Sequence, residues 1–456
     1  YQIPGLASEG VCIVVTPLIA LMKDQVDRLR KLGIRALAIH SGLSARQIDI
    51  DLDNCVYGDV KFLYVAPERL ASEAFRLRVQ RMNVSLLAVD EAHCISQWGY
   101  DFRPSYLRIA ELRERIPGVP VLALTASATP RVADDIMEKL HFTEPHLLRS
   151  DFSRPNLSYA VRHTDDKNEQ LLRIIRNVGG SGIVYVRTRE GAEQVAAFLR
   201  DEGISAEYYH GGLGHAERSM RQDAWISGRT PVMVATNAFG MGIDKPDVRY
   251  VVHYTMCDSL ESYYQEAGRA GRDGRNADCI LLYSSKDVRT NQFLINNSEP
   301  NPYLTEDEQE EVRRRDRERL KKMTFYCTTH KCLRKFILEY FGDKSPERCC
   351  KCSNCLSNHE NTDITVDAQK IMSCVARTGQ RYGKKVICDV LRGSKNERLI
   401  SAGLSRQSTY GIMADCTEKR LRDIIEHLCE NGYMTAEGDE YPCLLYTSPS
   451  PRDISG

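Results

Sequence analysis

Short apolar runs alternate with helical patterns from the start of the chain to about residue 285. Val11–Val15, Arg35–Ile39, Phe62–Val65, Leu86–Val89 and Val121–Leu124 are nearly continuous in apolar side chains. That is the signature of strands covered on both faces of a parallel sheet. Between the first two, Leu18, Leu21, Met22, Val26, Leu29 and Leu32 recur at helical spacing. The rhythm restarts after Asn156 with Ile183–Val186, Ala206–Tyr209, Val232–Ala235, Tyr250–His253 and Cys279–Leu282. Two consecutive β/α domains are expected, with functional loops at the strand ends.

The pattern then changes. Glu306–Lys322 is a dense run of both charge signs, acidic residues leading and basic ones following. This order suits the dipole of an exposed helix, and a solvated face is expected there rather than a DNA contact. A cysteine cluster comes next, then a compact, mostly helical region from about Thr362 to Tyr441. Residues 444–456 continue no periodicity, interrupt a forming strand and resemble a translated sequencing adaptor. They are expected to be a non-native tail and are set aside for fold purposes.

Composition narrows the class. Apolar residues make up 42% of the 456-residue chain, enough for ordinary cores in about three domains. The longest apolar stretch, Val11 to Met22, is broken by Thr16 and Pro17, so no membrane span is expected. The 62 basic and 62 acidic residues cancel. Binding nucleic acid through bulk charge alone is disfavoured, while a local basic channel stays open. Six of the 16 cysteines fall between Cys327 and Cys355, which fits a reducing compartment with one clustered metal site better than disulfides. The chain opens with Tyr1 rather than Met, so its natural N-terminus, with any targeting segment, is expected upstream.

Three constellations carry chemistry. Asp90-Glu91-Ala92-His93 follows the apolar strand Leu86–Val89. There Asp90 can hold Mg²⁺ through water and Glu91 can polarise an attacking water. Gln265, Arg269 and Arg272 fall at i, i+4 and i+7, so one helix face is expected to present all three. A guanidinium supplied across a cleft can stabilise charge on a transferring phosphate. Together these are two halves of a nucleotide hydrolysis site, split between two domains. Cys332, Cys349, Cys352 and Cys355 give Cys-x₁₆-Cys-x₂-Cys-x₂-Cys. Four thiolates at such spacing form a closed, structural zinc site, whose loss should unfold a module too small for its own core.

These motifs resemble those of the RecQ family of superfamily-two DNA helicases, over nearly the whole chain except the tail. Further matching residues are Val15–Gln25, Thr125-Ala126-Ser127-Ala128-Thr129, Ala235–Asp244 and Tyr264–Gly274. The most family-specific stretch is Cys94-Ile95-Ser96-Gln97-Trp98-Gly99-Tyr100-Asp101-Phe102-Arg103-Pro104. It resembles the aromatic-rich loop that couples single-stranded DNA binding to hydrolysis. Trp98 and Phe102 offer stacking faces for bases, and Arg103 offers a phosphate or base contact. After the cysteines, Asp367–Lys370, Thr378–Gly383 and Val386–Gly393 resemble the family's winged-helix domain, which binds duplex DNA with a helix and a β-wing. The wing is expected after Gly432.

The resemblance implies an α/β architecture of two tandem RecA-like parallel-sheet domains, a helical zinc-binding module and a winged-helix domain. The boundaries drawn are 1–150, 151–286, 287–360 and 361–443. It implies ATP, Mg²⁺ and Zn²⁺ as cofactors, single-stranded and duplex DNA as partners, and 3′ to 5′ movement along one strand in recombination and repair. Arg272, with Arg269, would contact the γ-phosphate. His93, Gln265 and Asp244 would couple nucleotide to domain closure. The loops at Thr16, Thr125 and Thr236 would contact DNA or bridge it to nucleotide, unless these threonines are helix N-caps. A monomer in a bacterial cytoplasm, with a single-stranded-DNA-binding protein as partner, completes the picture. The family's Gly-Lys-Ser phosphate loop and its adenine-reading glutamine are expected upstream of Tyr1, so these 456 residues alone should bind ATP poorly and hydrolyse it negligibly. An RNA helicase of a related family and a non-catalytic DNA-binding or annealing protein are the rivals.

Overall fold

The computed structural model describes residues 1–99, 101–144, 146–240, 245–298, 304–357, 363–430, 433–437 and 444–447. By internal contacts the chain divides into two units, Tyr1–Leu356 and Ser357–Gly456.

The first unit holds two parallel sheets. β1 (Val11–Val15), β2 (Ala36–Ile39), β3 (Phe62–Val65), β4 (Val84–Val89) and β5 (Val121–Ala123) form one, in the order β2-β3-β1-β4-β5. Val15 pairs with both Val65 and Val89, and Val89 with Ala123. The strands therefore end in register, and Thr16, Ala66, Asp90 and Leu124 leave the sheet along one edge. Apolar side chains on both faces build two cores, one around Ile13, Leu63 and Leu87, the other around Val14, Tyr64 and Ala88.

The second sheet comprises β6 (Leu157–His163), β7 (Ser181–Tyr185), β8 (Ala206–Tyr209), β9 (Val232–Ala235), β10 (Val248–His253) and β11 (Ala277–Tyr283), ordered β6-β11-β10-β7-β9-β8. Tyr185 pairs with His253 and Ala235, so Thr236 and Tyr254 emerge at one end. β6 escaped the sequence reading. It lies at a sheet edge and alternates with polar residues instead of forming an apolar run. The zinc-module residues cover it: Ser158 Oγ donates to the Lys351 carbonyl, and His163 Nε2 is 2.9 Å from the Cys327 carbonyl.

The charge run is helical, Glu306–Thr328, opened by a capping box between Thr305 and Glu308. The Leu333–Tyr340 helix follows. Their apolar faces do not form a core of their own. Tyr326, Leu333, Ile337 and Phe341 join Tyr159 and Leu281 of the second sheet, and Tyr263 of the Leu260–Ala267 helix, in one cluster. The expectation of a module too small to stand without metal is thereby modified: its helices borrow the core of the neighbouring domain.

In the second unit, helices Thr365–Arg377, Lys384–Arg392 and Glu418–Glu430 enclose Ile371, Val375, Ile387, Leu391, Leu421 and Ile425. β12 (Met434–Glu437) pairs antiparallel with β13 (Leu444–Thr447), Met434 opposite Thr447. The expected wing is thus a two-stranded ribbon. Its second strand uses four residues of the tail that the sequence reading had set aside, because backbone pairing needs no apolar periodicity of its own. Among the described residues, no helix is long and apolar enough to cross a membrane.

Candidate nucleotide and DNA site

The acidic half of the site forms where β4 ends. Asp90 N donates to the Val15 carbonyl of the neighbouring strand, and Ala92 N donates to the Leu124 carbonyl. Between them the chain turns sharply, and Glu91 takes a left-handed conformation, φ 48° and ψ 47°. For a residue with a side chain this is a sparsely populated state that surrounding contacts must impose. Tyr106, fully buried beneath the turn, donates from its hydroxyl to the Asp90 carbonyl. Sequence reading missed this tyrosine, which sits outside the motif.

Burial sets the electrostatics. Desolvation raises both carboxyls, Asp90 less and Glu91 to about 7, with the Asp90 charge adding to the latter and Arg269 opposing it. Burial pushes the His93 imidazole down to about 4. His93 Nδ1 lies 3.0 Å from Thr125 Oγ1 and 3.3 Å from Glu91 Oε2. The second approach is no ion pair at neutral pH, because the imidazole is uncharged there. Glu91 Oε2 is buried and makes no hydrogen bond. A carboxylate oxygen left open in this way is suited to receive a proton from water.

The arginine half departs from the expected helix face. The Leu260–Ala267 helix stops before Arg269, so Gln265 is helical while Arg269 and Arg272 lie in the turns that follow. Within those turns Gly271 sits at φ +56°, where a Cβ would stand 2.5 Å from Asn156 Nδ2 and 2.7 Å from the Arg275 carbonyl. Two unforeseen residues hold these turns. Arg154 donates to the Gly268 and Ala270 carbonyls at 2.9 and 2.8 Å, and Asn156 Nδ2 donates to the Gly271 and Arg275 carbonyls. Arg269 is buried, donates to the Gly240 carbonyl and lies close enough to Glu91 to lower its pKa. Arg272 is exposed. Asp244 lies outside the described residues.

The aromatic-rich loop is held closed. Two guanidinium groups lie over the half-buried Trp98 ring, Arg131 at 3.0 Å and Arg315 at 3.8 Å from its centre. Arg315 also donates to the Gln97 carbonyl, and Arg319 donates to the carbonyls of Trp98 and Gly99. Both belong to the charge-run helix, and Arg315 is only 8% exposed. The expectation of a solvated helix face fails on this side. A guanidinium surrenders less hydration than an ammonium and can stack on an indole while filling carbonyl sites. Phe102 is half-buried beside the same helix, lining a cavity of about 210 Å³ with Val312, Arg313 and Arg319. Arg103 donates twice to Asp101, at 3.1 and 2.9 Å.

The three threonines are not helix caps. Thr16 is fully buried with an unpartnered hydroxyl, Thr236 is buried just past β9, and Thr125 faces His93. Thr129, four residues on from Thr125, caps the Pro130–Lys139 helix instead.

The cysteine cluster fits zinc. The four Sγ atoms of Cys332, Cys349, Cys352 and Cys355 all lie within 4.8 Å of one another, with Cys332–Cys352 at 3.9 Å and Cys349–Cys355 at 4.0 Å. A tetrahedron with Zn–S bonds near 2.3 Å has edges of about 3.8 Å. The Cys352 amide donates to Cys349 Sγ at 3.3 Å, a hydrogen bond that stabilises a metal-bound thiolate.

Comparison with known proteins agrees with this layout. Residues 1–136 match the DEAD/DEAH box helicase model, 166–274 the helicase conserved C-terminal domain, 285–356 the RecQ zinc-binding model and 358–454 the RQC domain. The chain is 42% identical to the ATP-dependent DNA helicase RecQ of Bacillus subtilis, covering all of this chain and 76% of that protein. It is 36% identical to the enzyme of that name from Pasteurella multocida, across all of this chain and 71% of that one. A relative from Acanthamoeba polyphaga mimivirus that carries an RNA-helicase name is 34% identical, over 95% of this chain and 80% of its own. With two parallel sheets, a four-cysteine module and an RQC region all accounted for along its length, the chain belongs to the RecQ family of ATP-dependent DNA helicases.

Proposed function

We propose that this helicase couples ATP hydrolysis between its two sheet domains to 3′ to 5′ movement along one DNA strand, separating duplexes during recombination and repair on a bacterial chromosome. One observation carries the reading: Glu91, on the first domain, lies within electrostatic reach of Arg269, on the second. Asp90 would hold the Mg²⁺ that ATP brings, and Glu91, with its open Oε2, would take the proton of the attacking water. Arg269 and the exposed Arg272 would meet the γ-phosphate, and Gln265 and His93 would relay closure. Trp98, Phe102 and Arg103 would engage single-stranded DNA, with the loops of Thr16, Thr125 and Thr236 nearby. The winged-helix region would grip the duplex, the helicase would work as a monomer, and a single-stranded-DNA-binding protein would keep its product open.

No Gly-Lys-Ser or Gly-Lys-Thr occurs in these 456 residues. A polypeptide of this sequence alone would therefore lack the lysine that cradles the β- and γ-phosphates and turn over ATP negligibly. The test uses the protein with a phosphate loop restored at its N-terminus. DNA-stimulated ATPase should fall by about 10³ or more in Arg269→Ala or Arg272→Ala, and Glu91→Gln should abolish it with ATP still bound. Unchanged turnover in Glu91→Gln would overturn the reading. Unwinding of matched DNA and RNA duplexes decides the rival that the mimiviral relative's name raises; a preference for RNA would favour it.

A further inference from the structure

Outside the four-cysteine cluster, three other metal-ligating side chains converge. His253 ends β10, Cys257 lies in the following loop, and Glu266 is near the end of the Leu260–Ala267 helix. Their ligand atoms all fall within 4.8 Å of one another. His253 Nε2 is 3.0 Å from Glu266 Oε2, and Cys257 Sγ is 3.4 Å from the same oxygen. Around a tetrahedral ion with bonds of about 2.0 Å to nitrogen and oxygen and 2.3 Å to sulfur, those edges would be about 3.3 and 3.5 Å. Those two edges need only a few tenths of an ångström of opening, and the third lies within 4.8 Å.

The surroundings favour an ion over a mere hydrogen-bonded triad. The imidazole is held rigidly, stacked on Tyr185 at 5.6 Å and tilted against Tyr263 at 4.8 Å. Its residue is fully buried. A single carboxylate oxygen serves both polar neighbours. Cys257 and Glu266 are only partly buried by residue, so the cluster lies near the surface.

We propose that His253, Cys257 and Glu266 form a second metal site, open at one position, that takes a thiophilic divalent cation of the Zn²⁺ class. Mixed nitrogen, sulfur and oxygen donors match zinc and do not match Mg²⁺ or Ca²⁺. Binding releases the Cys257 thiol proton to solvent, and the His253 imidazole carries its proton on Nδ1 so that the Nε2 lone pair faces the ion. No electron changes hands. The ion ties the end of β10 to the helix that leads into Arg269, three residues beyond Glu266, and so stiffens the arginine-bearing turns.

The experiment counts zinc per chain after equilibrium dialysis against micromolar Zn²⁺ and gel filtration. Two ions per wild-type chain are expected, and one in Cys257→Ser and in Glu266→Gln, with the remaining ion in the four-cysteine site. One ion in the wild type, or two in all three proteins, would overturn the assignment. Because a variant could misfold, a second measurement uses the wild type alone. Co²⁺ added to protein holding one equivalent of Zn²⁺, enough for the four-cysteine site alone, should give a sulfur-to-cobalt charge-transfer band of one equivalent, lost on adding excess Zn²⁺. Absence of that band also overturns it.

Discussion

The guanidinium carbon of Arg315 stands 3.8 Å from the centre of the Trp98 ring, which also carries the Arg131 guanidinium at 3.0 Å. The residue proposed to stack on DNA bases is therefore already stacked, on charges that DNA phosphates would attract away. The zinc-module helix holds the aromatic loop in this form, through the Arg315 and Arg319 bonds to the Gln97, Trp98 and Gly99 carbonyls.

Removing one guanidinium should expose the indole. Arg315→Ala is expected to lower stability by about 1–2 kcal/mol and shift Trp98 emission to the red. The chain has two tryptophans, and the other, Trp225, is fully buried, so the change reports on Trp98. An unshifted spectrum would mean that the Arg315–Trp98 contact does not persist in solution.

Trp98→Ala should weaken binding of an oligo-dT strand by about 1–3 kcal/mol, read by fluorescence anisotropy. Trp98→Phe should recover part of the loss, because a stacking face is restored. Equal affinity for all three proteins would remove Trp98 from the DNA interface.

The Asp90–His93 turn predicts two opposing pH slopes. Glu91, raised to about 7, binds its proton more tightly folded than unfolded, so its contribution is full below about pH 4.5 and is lost as pH rises through 7. Glu91→Gln should therefore stabilise the protein by up to roughly 3 kcal/mol above pH 7 and change little below pH 4.5. His93, lowered to about 4, acts oppositely: its contribution is lost as pH falls from about 6.5 through 4. His93→Gln should gain on the wild type only in acid. Urea unfolding from pH 4 to 8 measures both, as differences from the wild type.

Gly271→Ala places a Cβ in the left-handed region against Asn156 Nδ2 and the Arg275 carbonyl. A loss of about 2 kcal/mol is expected, with faster amide exchange across 268–275. Gly274→Ala is the comparison, since nothing stands within 4 Å of its Cβ and only the φ of +80° is strained. It should cost less.

Chelating zinc should melt the metal's own neighbourhood rather than the whole module. Cys332 and Cys352 belong to the cluster that includes Tyr326, Phe341 and the second sheet. Hydrogen exchange is expected to rise over 345–356 and along β6, which this segment covers, while β7, β9 and β10 stay protected. Exchange spreading evenly through the second sheet would contradict this.

Much of the frame was legible because it is local. A buried parallel strand must be apolar on both faces, so ten of the strands announced themselves as short runs. β6 did not, because polar residues alternate along it and its cover comes from residues far along the chain. Cysteine spacing revealed the metal cluster for a similar reason: ligand identity and short loops are properties of sequence. The expected helix through Arg269 failed because helical spacing is also compatible with turns once glycines at 268 and 271 intervene.

By itself the sequence determined the two sheets, the acidic turn after β4 and the four thiols, since each depends on residues within one element or a few turns of chain. The tertiary structure alone decided which distant groups meet. Gln97 and Arg315 are 218 residues apart, yet they are hydrogen-bonded, and no periodicity encodes that pairing. Charge patterning says only that a helix can be solvated; whether it is depends on what lies against it. Here the answer is a tryptophan and three carbonyls, which a guanidinium satisfies better than water would.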